Sequence, residues 1–332
     1  MLTCMLDKQQ LESRLKPVNA AGWLETRCMK NTRLDILDEI WTWIDDSLAP
    51  NMFLLTADPG AGKTTIASTV MIELLSRGRC VPYFFFKRRD DAHSNPINIW
   101  RTIAHSLAQH PLLTEALVES TSDPLALDGP IDVVFNHLIE QPLTKVQDKF
   151  REHPLIFVLD ALDECDSKHP AYSAFMGLIR DWSKKLPSCY KIIITSRHNE
   201  DLVESLGDKA HLGSLATGTR VTLSSHNDIC TYIQSKMEEI IRSHRLSPLP
   251  VDWGSRENIE KLVAGLFLWA STVMEFISAD PERRLQTLLS QSPVGGTEEL
   301  NALYTQILST ASSVHGNDAV MTIVGITAIT KN

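Results

Sequence analysis

Apolar residues recur along the chain in two rhythms. Short, nearly continuous apolar runs stand at Asn51 to Thr56, Val81 to Phe86, Leu155 to Leu159, Lys191 to Thr195 and Arg220 to Leu223. Each is rich in β-branched or aromatic residues, and each reads as a buried strand. Between them the apolar spacing changes to threes and fours. From Thr32 it places Leu34, Leu37, Ile40, Trp41 and Ile44 on one face of an amphipathic helix. Gly62 to about Arg77, Pro96 to Gln109 and Asp132 to Glu140 also read as helices. Continuous apolar strands alternating with helices predict a parallel sheet covered on both faces. The stretch His110 to Pro130, with its Pro and Asp residues, reads as a surface excursion, and Gln147 to His153 as a polar loop.

After Leu223 the strand pattern stops. Ser225 or Asp228 could cap a helix reaching about Arg242, and Ser247 to Gly254 is a loop. Further helices are expected from about Ser255 to Ile277 and from Thr297 to Ser312. The predicted organisation is an N-terminal helix and link (1–31), an α/β domain (32–224) and a small all-helical region (225–332). The longest apolar stretch, Leu262 to Ile277, holds Ser271, Thr272 and Glu275 and reads as a buried helix rather than a membrane span. The last residues, Asp318 to Asn332, begin an apolar pattern and stop, as if a further domain were truncated.

Composition narrows the class. Of 332 residues, 43% are hydrophobic and 22% charged, as in soluble globular proteins of about two domains. The net charge of −9 argues against a general nucleic-acid surface. Six scattered cysteines with no C-x-x-C pair indicate neither a zinc ribbon nor a disulfide framework, so reduced thiols in the cytoplasm are expected. No metal spacing is visible among the histidines. Trp41, Trp43, Trp100, Trp182 and Trp269 read as core rather than a base-stacking platform, and Lys87 to Asp91 as a solvated loop.

Two motifs carry chemistry. Ala57-Asp58-Pro59-Gly60-Ala61-Gly62-Lys63-Thr64, followed by Thr65, lies between a strand and a helix and matches the phosphate loop G-x-x-x-x-G-K-[ST], with Ala57 in the first glycine slot. Such a turn wraps backbone N–H groups around a phosphate, and the helix N-terminus adds favourable partial charge. Lys63 would face the β- and γ-phosphates and Thr64 would offer a hydroxyl to Mg²⁺. The second motif is Leu155-Ile-Phe-Val-Leu-Asp-Ala-Leu-Asp-Glu-Cys165. A carboxylate at the C-terminal end of a parallel strand sits where ligands bind in such sheets. Asp160 is the expected Mg²⁺ residue, in the manner of a Walker B aspartate. Glu164 is the first choice for orienting or deprotonating the attacking water, and Asp163 the second. Cys165 reads as packing.

Together these residues resemble the NACHT NTPases of the STAND signal-transduction class, of the nephrocystin-3-like N-terminal type. The acidic strand end of that family commonly reads Asp-Gly-h-Asp-Glu, and Ala161 fills the small position here. Lys191-Ile-Ile-Ile-Thr-Ser-Arg197 is similar to the sensor strand, whose terminal arginine faces the γ-phosphate. Cys28-Met-Lys-Asn-Thr-Arg33 resembles the element that closes over the nucleotide, which makes Arg33 a candidate contact. Gly265-Leu-Phe-Leu-Trp-Ala-Ser resembles a helix of fungal, NOD-like-receptor-type members. The resemblance implies a P-loop NTPase three-layer sandwich on a five-stranded parallel core, with the sensor strand between the loop strand and the acidic strand. It also implies a nucleotide-gated switch that self-associates. A winged-helix domain expected in such proteins is absent from the sequence or only begun.

The function expected is Mg²⁺-dependent nucleotide binding with slow hydrolysis. ATP is favoured over GTP because no Asn-Lys-x-Asp occurs. The alternative is a nucleotide-binding scaffold with little turnover, the helical region being the working surface. A small-molecule kinase or DNA-loading ATPase is less well supported, because the carboxylate set suits hydrolysis and no basic patch is present.

Overall fold

The computed structural model describes residues 11–18, 26–57, 59–123, 125–197, 226–244, 267–289 and 304–305. The expected strand at 220–223, the loop at 247–254, the start of the helix at Ser255, most of the helix at 297–312 and the segment 318–332 lie outside the described residues. Two compact units are present. One comprises residues 1–28, 35–58 and 63–221, and the other 29–34, 59–62 and 222–332.

The first unit is built on a parallel sheet of β1 (Met52–Thr56), β2 (Tyr83–Phe85), β3 (Leu155–Asp160) and β4 (Tyr190–Ser196), in the order β1-β4-β3-β2. The sensor-like strand β4 thus lies between the loop strand and the acidic strand. Every residue of β1, β3 and β4 is buried. Their unbroken apolar runs are the consequence of a sheet covered on both faces. Helices α1 (Leu34–Asp45), α2 (Lys63–Ser76), α3 (Pro96–Leu107), α4 (Pro111–Ser120) and α5 (Tyr172–Lys185) belong to the chain that surrounds it.

Trp100, Phe135, Phe157, Phe175 and Trp182 pack edge-on or tilted beside the sheet, with ring centroids 4.7 to 5.9 Å apart. Of the five tryptophans read as core, Trp43, Trp100, Trp182 and Trp269 are buried, whereas Trp41 is half-buried beneath the Arg77 guanidinium at 4.9 Å. On α1 the buried residues are Ile40, Trp43 and Ile44, while Leu34 is exposed. Lys191 is fully buried, and its ammonium caps the C-terminal end of α1 by donating to the carbonyls of Trp43 and Asp46, the latter at 2.6 Å. A cation at that end also meets the negative pole of the helix.

Two sequence expectations are corrected. His110 to Pro130 is not a surface excursion: it forms α4 and the short helix Leu125–Asp128, with Leu113, Leu117, Ala126 and Leu127 buried. Pro111 opens α4, where its missing N–H does no harm, instead of breaking a helix. Gln147 to His153 is likewise not a plain loop. Gln147–Phe150 is a 3₁₀ turn, and Phe150 is buried with its ring 6.0 Å from that of Tyr190.

The second unit contains α6 (His226–His244), α7 (Phe267–Ala279) and α8 (Pro281–Leu289). Ile229, Ile233, Met237 and Ile240 form one stripe of α6, at helical spacing, and cluster with Trp269, Val273, Met274, Ile277, Leu285 and Leu288. Asp228 lies inside the first turn of α6, and its carboxylate accepts the backbone N–H of Arg33 at 3.1 Å.

Among the described residues no helix is long and apolar enough to cross a membrane.

Candidate functional site

The phosphate loop begins where β1 ends and finishes where α2 begins. Ala57 donates its N–H to the Ser196 carbonyl at 3.3 Å, extending the strand ladder by one residue. It is not among the residues with positive φ, so alanine is unstrained in the slot that the motif gives to glycine. Asp58 lies outside the described residues. Gly60 and Gly62 adopt φ of 77° and 92°, where a side chain is disfavoured. Lys63, Thr64 and Thr65 form the first turn of α2. The Lys63 ammonium reaches back to donate to the Ala57 carbonyl at 2.8 Å.

Asp160 ends β3 and is 1% exposed. Its Oδ2 accepts the Thr64 hydroxyl at 2.7 Å, and its Oδ1 accepts the Thr195 hydroxyl at 2.5 Å. Burial pushes its carboxyl up to about 6; the two hydroxyls and the charge of Lys63 oppose that rise, and the charge of Glu164 adds to it. Ala161 then takes the left-handed conformation, with φ 56° and ψ 47°, and turns the chain into the 3₁₀ segment Leu162–Glu164.

That turn aims two carboxylates at the end of β4. Asp163 accepts the Arg197 backbone N–H at 2.9 Å and lies 3.2 Å from its Nε. Glu164 has its Oε1 3.7 Å from Arg197 Nη2, while its Oε2 accepts the Arg88 N–H at 3.0 Å. The Asp163 side chain is 7% exposed and that of Glu164 27%, so Glu164 is the more accessible of the two. Cys165 is buried, which pushes its thiol up to about 12 and leaves it inert as a nucleophile.

Sequence reasoning missed Thr195 and Arg88. The parallel register pairs Leu159 with Ile194, which sets Thr195 beside Asp160. Knowledge of that register, and nothing local, would have found it. Arg88 stands in the Lys87–Asp91 run, which is not simply solvated: its guanidinium donates to the Asp163 carbonyl at 3.0 Å, and Asp90 caps the short helix Asp91–Ser94.

In the second unit Arg33 is 9% exposed and adopts φ 59°. Its Nη2 donates to the Ala61 carbonyl at 2.6 Å, and its guanidinium lies 4.6 Å from the centre of the Phe267 ring. The Leu268 N–H donates to the Gly60 carbonyl at 3.1 Å.

A parallel α/β sheet whose first strand runs through a glycine-rich, lysine-bearing loop into a helix, with a buried aspartate on the acidic strand bonded to that loop's threonine, defines a P-loop NTPase. Residues 32–197 match the family model of nephrocystin 3, N-terminal, and the chain belongs to this family. No curated protein matches the chain. Among solved structures, the crystal structure of Cdc6p from Pyrobaculum aerophilum is similar at 15% identity and a TM-score of 0.48, over 85% of this chain and 73% of that one.

Proposed function

We propose that this chain binds a nucleoside triphosphate with Mg²⁺ at the loop 57–65 and hydrolyses it slowly, as the switching element of a NACHT/STAND-type signalling protein. The observation that carries this reading is the 2.7 Å contact between the loop hydroxyl of Thr64 and the buried carboxylate of Asp160. It places a hard oxygen pair beside the first turn of α2. One buried carboxylate and one hydroxyl suit a cation that completes its octahedron with water and phosphate oxygens, as Mg²⁺ does.

When bound, Mg²⁺ would neutralise charge on the phosphates. The chain's own residues do the rest. Lys63 exchanges its bond to Ala57 for the β- and γ-phosphates. Glu164 orients the attacking water and takes its proton, and Arg197 faces the γ-phosphate. ATP is the proposed nucleotide, since the guanine-reading Asn-Lys-x-Asp is missing from the sequence. The α/β domain at 32–224 would do this chemistry, with the helical region from 225 and self-association through the NTPase domain transmitting its state.

A second reading, nucleotide binding with little turnover, is favoured by one feature. Both candidate bases are engaged, Asp163 by Arg197 and Glu164 by Arg88 and Arg197.

Phosphate release and thermal unfolding, measured with Mg²⁺-ATP and Mg²⁺-GTP, test the proposal. Nucleotide at 100 times its Kd should stabilise the fold by about 2.7 kcal/mol. Lys63→Ala should lose that stabilisation. A nucleotide-free chain whose melt is unchanged by millimolar ATP or GTP would refute binding. Stabilisation without phosphate release would favour the second reading.

A further inference from the structure

We infer that Arg33 is a positioning residue which, with the backbone N–H of Leu268, sets the two peptide units that present N–H groups to a phosphate. The inference rests on the reading above that the loop receives one. In a trans peptide the carbonyl oxygen and the N–H that follows it point in opposite directions. Leu268 holds the Gly60 carbonyl at 3.1 Å and Arg33 holds the Ala61 carbonyl at 2.6 Å. The N–H groups of Ala61 and Gly62 are therefore turned to the side opposite these two donors. Successive N–H groups facing one way, through a backbone that alternates in hand, make a concavity for an anion. The positive φ of Gly60 and Gly62, on either side of Ala61, supplies that alternation.

Arg33 is held as a strut. Its own φ of 59° is disfavoured for a residue with a side chain, and such strain persists only where the surroundings over-determine it. Here they do: Asp228 accepts its N–H, Phe267 lies under its guanidinium, and the group is 9% exposed. Leu268 closes the same arrangement from the other carbonyl. A Cβ on Gly60 would come within 2.6 Å of the Leu268 Cβ, so the loop and the start of α7 fit only with glycine there. Arg33 thus acts on a phosphate through the loop, without touching the nucleotide.

The test uses the full chain and two competitors, ADP and inorganic pyrophosphate, displacing a fluorescent ADP analogue. Arg33→Met keeps the apolar stem and removes the donor. It should weaken ADP and pyrophosphate by the same factor, about ten-fold, the worth of one charge-assisted hydrogen bond. Arg33→Lys, which can still donate to the carbonyl, should recover part of the loss for both. Should Arg33→Met fail to fold, Phe267→Leu leaves the arginine but removes the ring beneath it, and should produce a smaller loss, again equal for both competitors. If a variant loses ADP but binds pyrophosphate like the parent, Arg33 contacts the nucleoside and the inference is wrong. Unchanged binding of both would also overturn it. If the parent binds neither compound, the phosphate-binding reading itself fails, and this one with it.

Discussion

Thr195 gives its hydroxyl proton to Asp160 at 2.5 Å and receives the Ala161 N–H at 2.8 Å. One side chain on β4 thus fixes both the carboxylate that ends β3 and the peptide that begins the following turn. Thr195→Val, nearly isosteric, would orphan two buried polar groups at once. Each such loss costs about 1–3 kcal/mol, so the variant should be destabilised by about 2–6 kcal/mol in urea titration. Thr195→Ser should restore most of it. A neutral valine variant would mean that the hydroxyl does not hold Asp160 in solution.

Asp160 itself should trade stability for function. Its folded-state pKa of about 6 lies above the ordinary carboxylate value. The folded chain then holds this proton more tightly than the unfolded chain does. Stability from the neutral acid is full at low pH and is lost as pH rises through about 6. In metal-free buffer at pH 7.5, Asp160→Asn should therefore be more stable than the parent, by up to about 3 kcal/mol, with little advantage at low pH. The same variant should lose the extra stabilisation that Mg²⁺ gives to nucleotide binding. Thermal melts in chelator at both pH values, then with Mg²⁺-ATP, check both halves.

Glu164 and Asp163 should separate under substitution. Glu164 is the more exposed carboxylate, whereas Asp163 is held by the Arg197 backbone and lies against its guanidinium. Glu164→Gln should bind ATP like the parent and lose phosphate release by about 100-fold or more, the usual worth of a general base. Asp163→Asn should retain more turnover. The reverse order in a phosphate-release assay would exchange the two roles.

Ala161 offers a small stabilising change. It sits at φ 56°, where a Cβ costs about 1–2 kcal/mol. Glycine removes that strain but adds about 0.5–1 kcal/mol of unfolded-chain freedom. Ala161→Gly should thus raise stability by about 0.5–1 kcal/mol in urea titration. A loss of more than about 1 kcal/mol would show that the alanine methyl packs usefully despite the backbone.

The linear sequence by itself determined the features that depend on local spacing. Unbroken apolar runs such as Leu155-Ile-Phe-Val-Leu can be buried only within a sheet covered on both faces, so the four described parallel strands were legible. The phosphate loop was legible because glycine, lysine and threonine at fixed offsets do a local job between a strand and a helix. Tertiary structure alone decided what lies across the sheet or comes from far along the chain. Thr195 meets Asp160 only because β4 pairs with β3 in one register, and no local pattern records a register. Arg88, in a run that reads as solvent-facing charge, reaches Asp163 and Glu164 through the turn that Ala161 makes. Pro111, which reads as a breaker in a polar stretch, starts a buried helix, because proline is disfavoured inside a helix but not at its first residue. Arg33 and Leu268, 235 positions apart in the chain, hold adjacent carbonyls of one loop, and only the folded chain brings such donors to neighbouring acceptors.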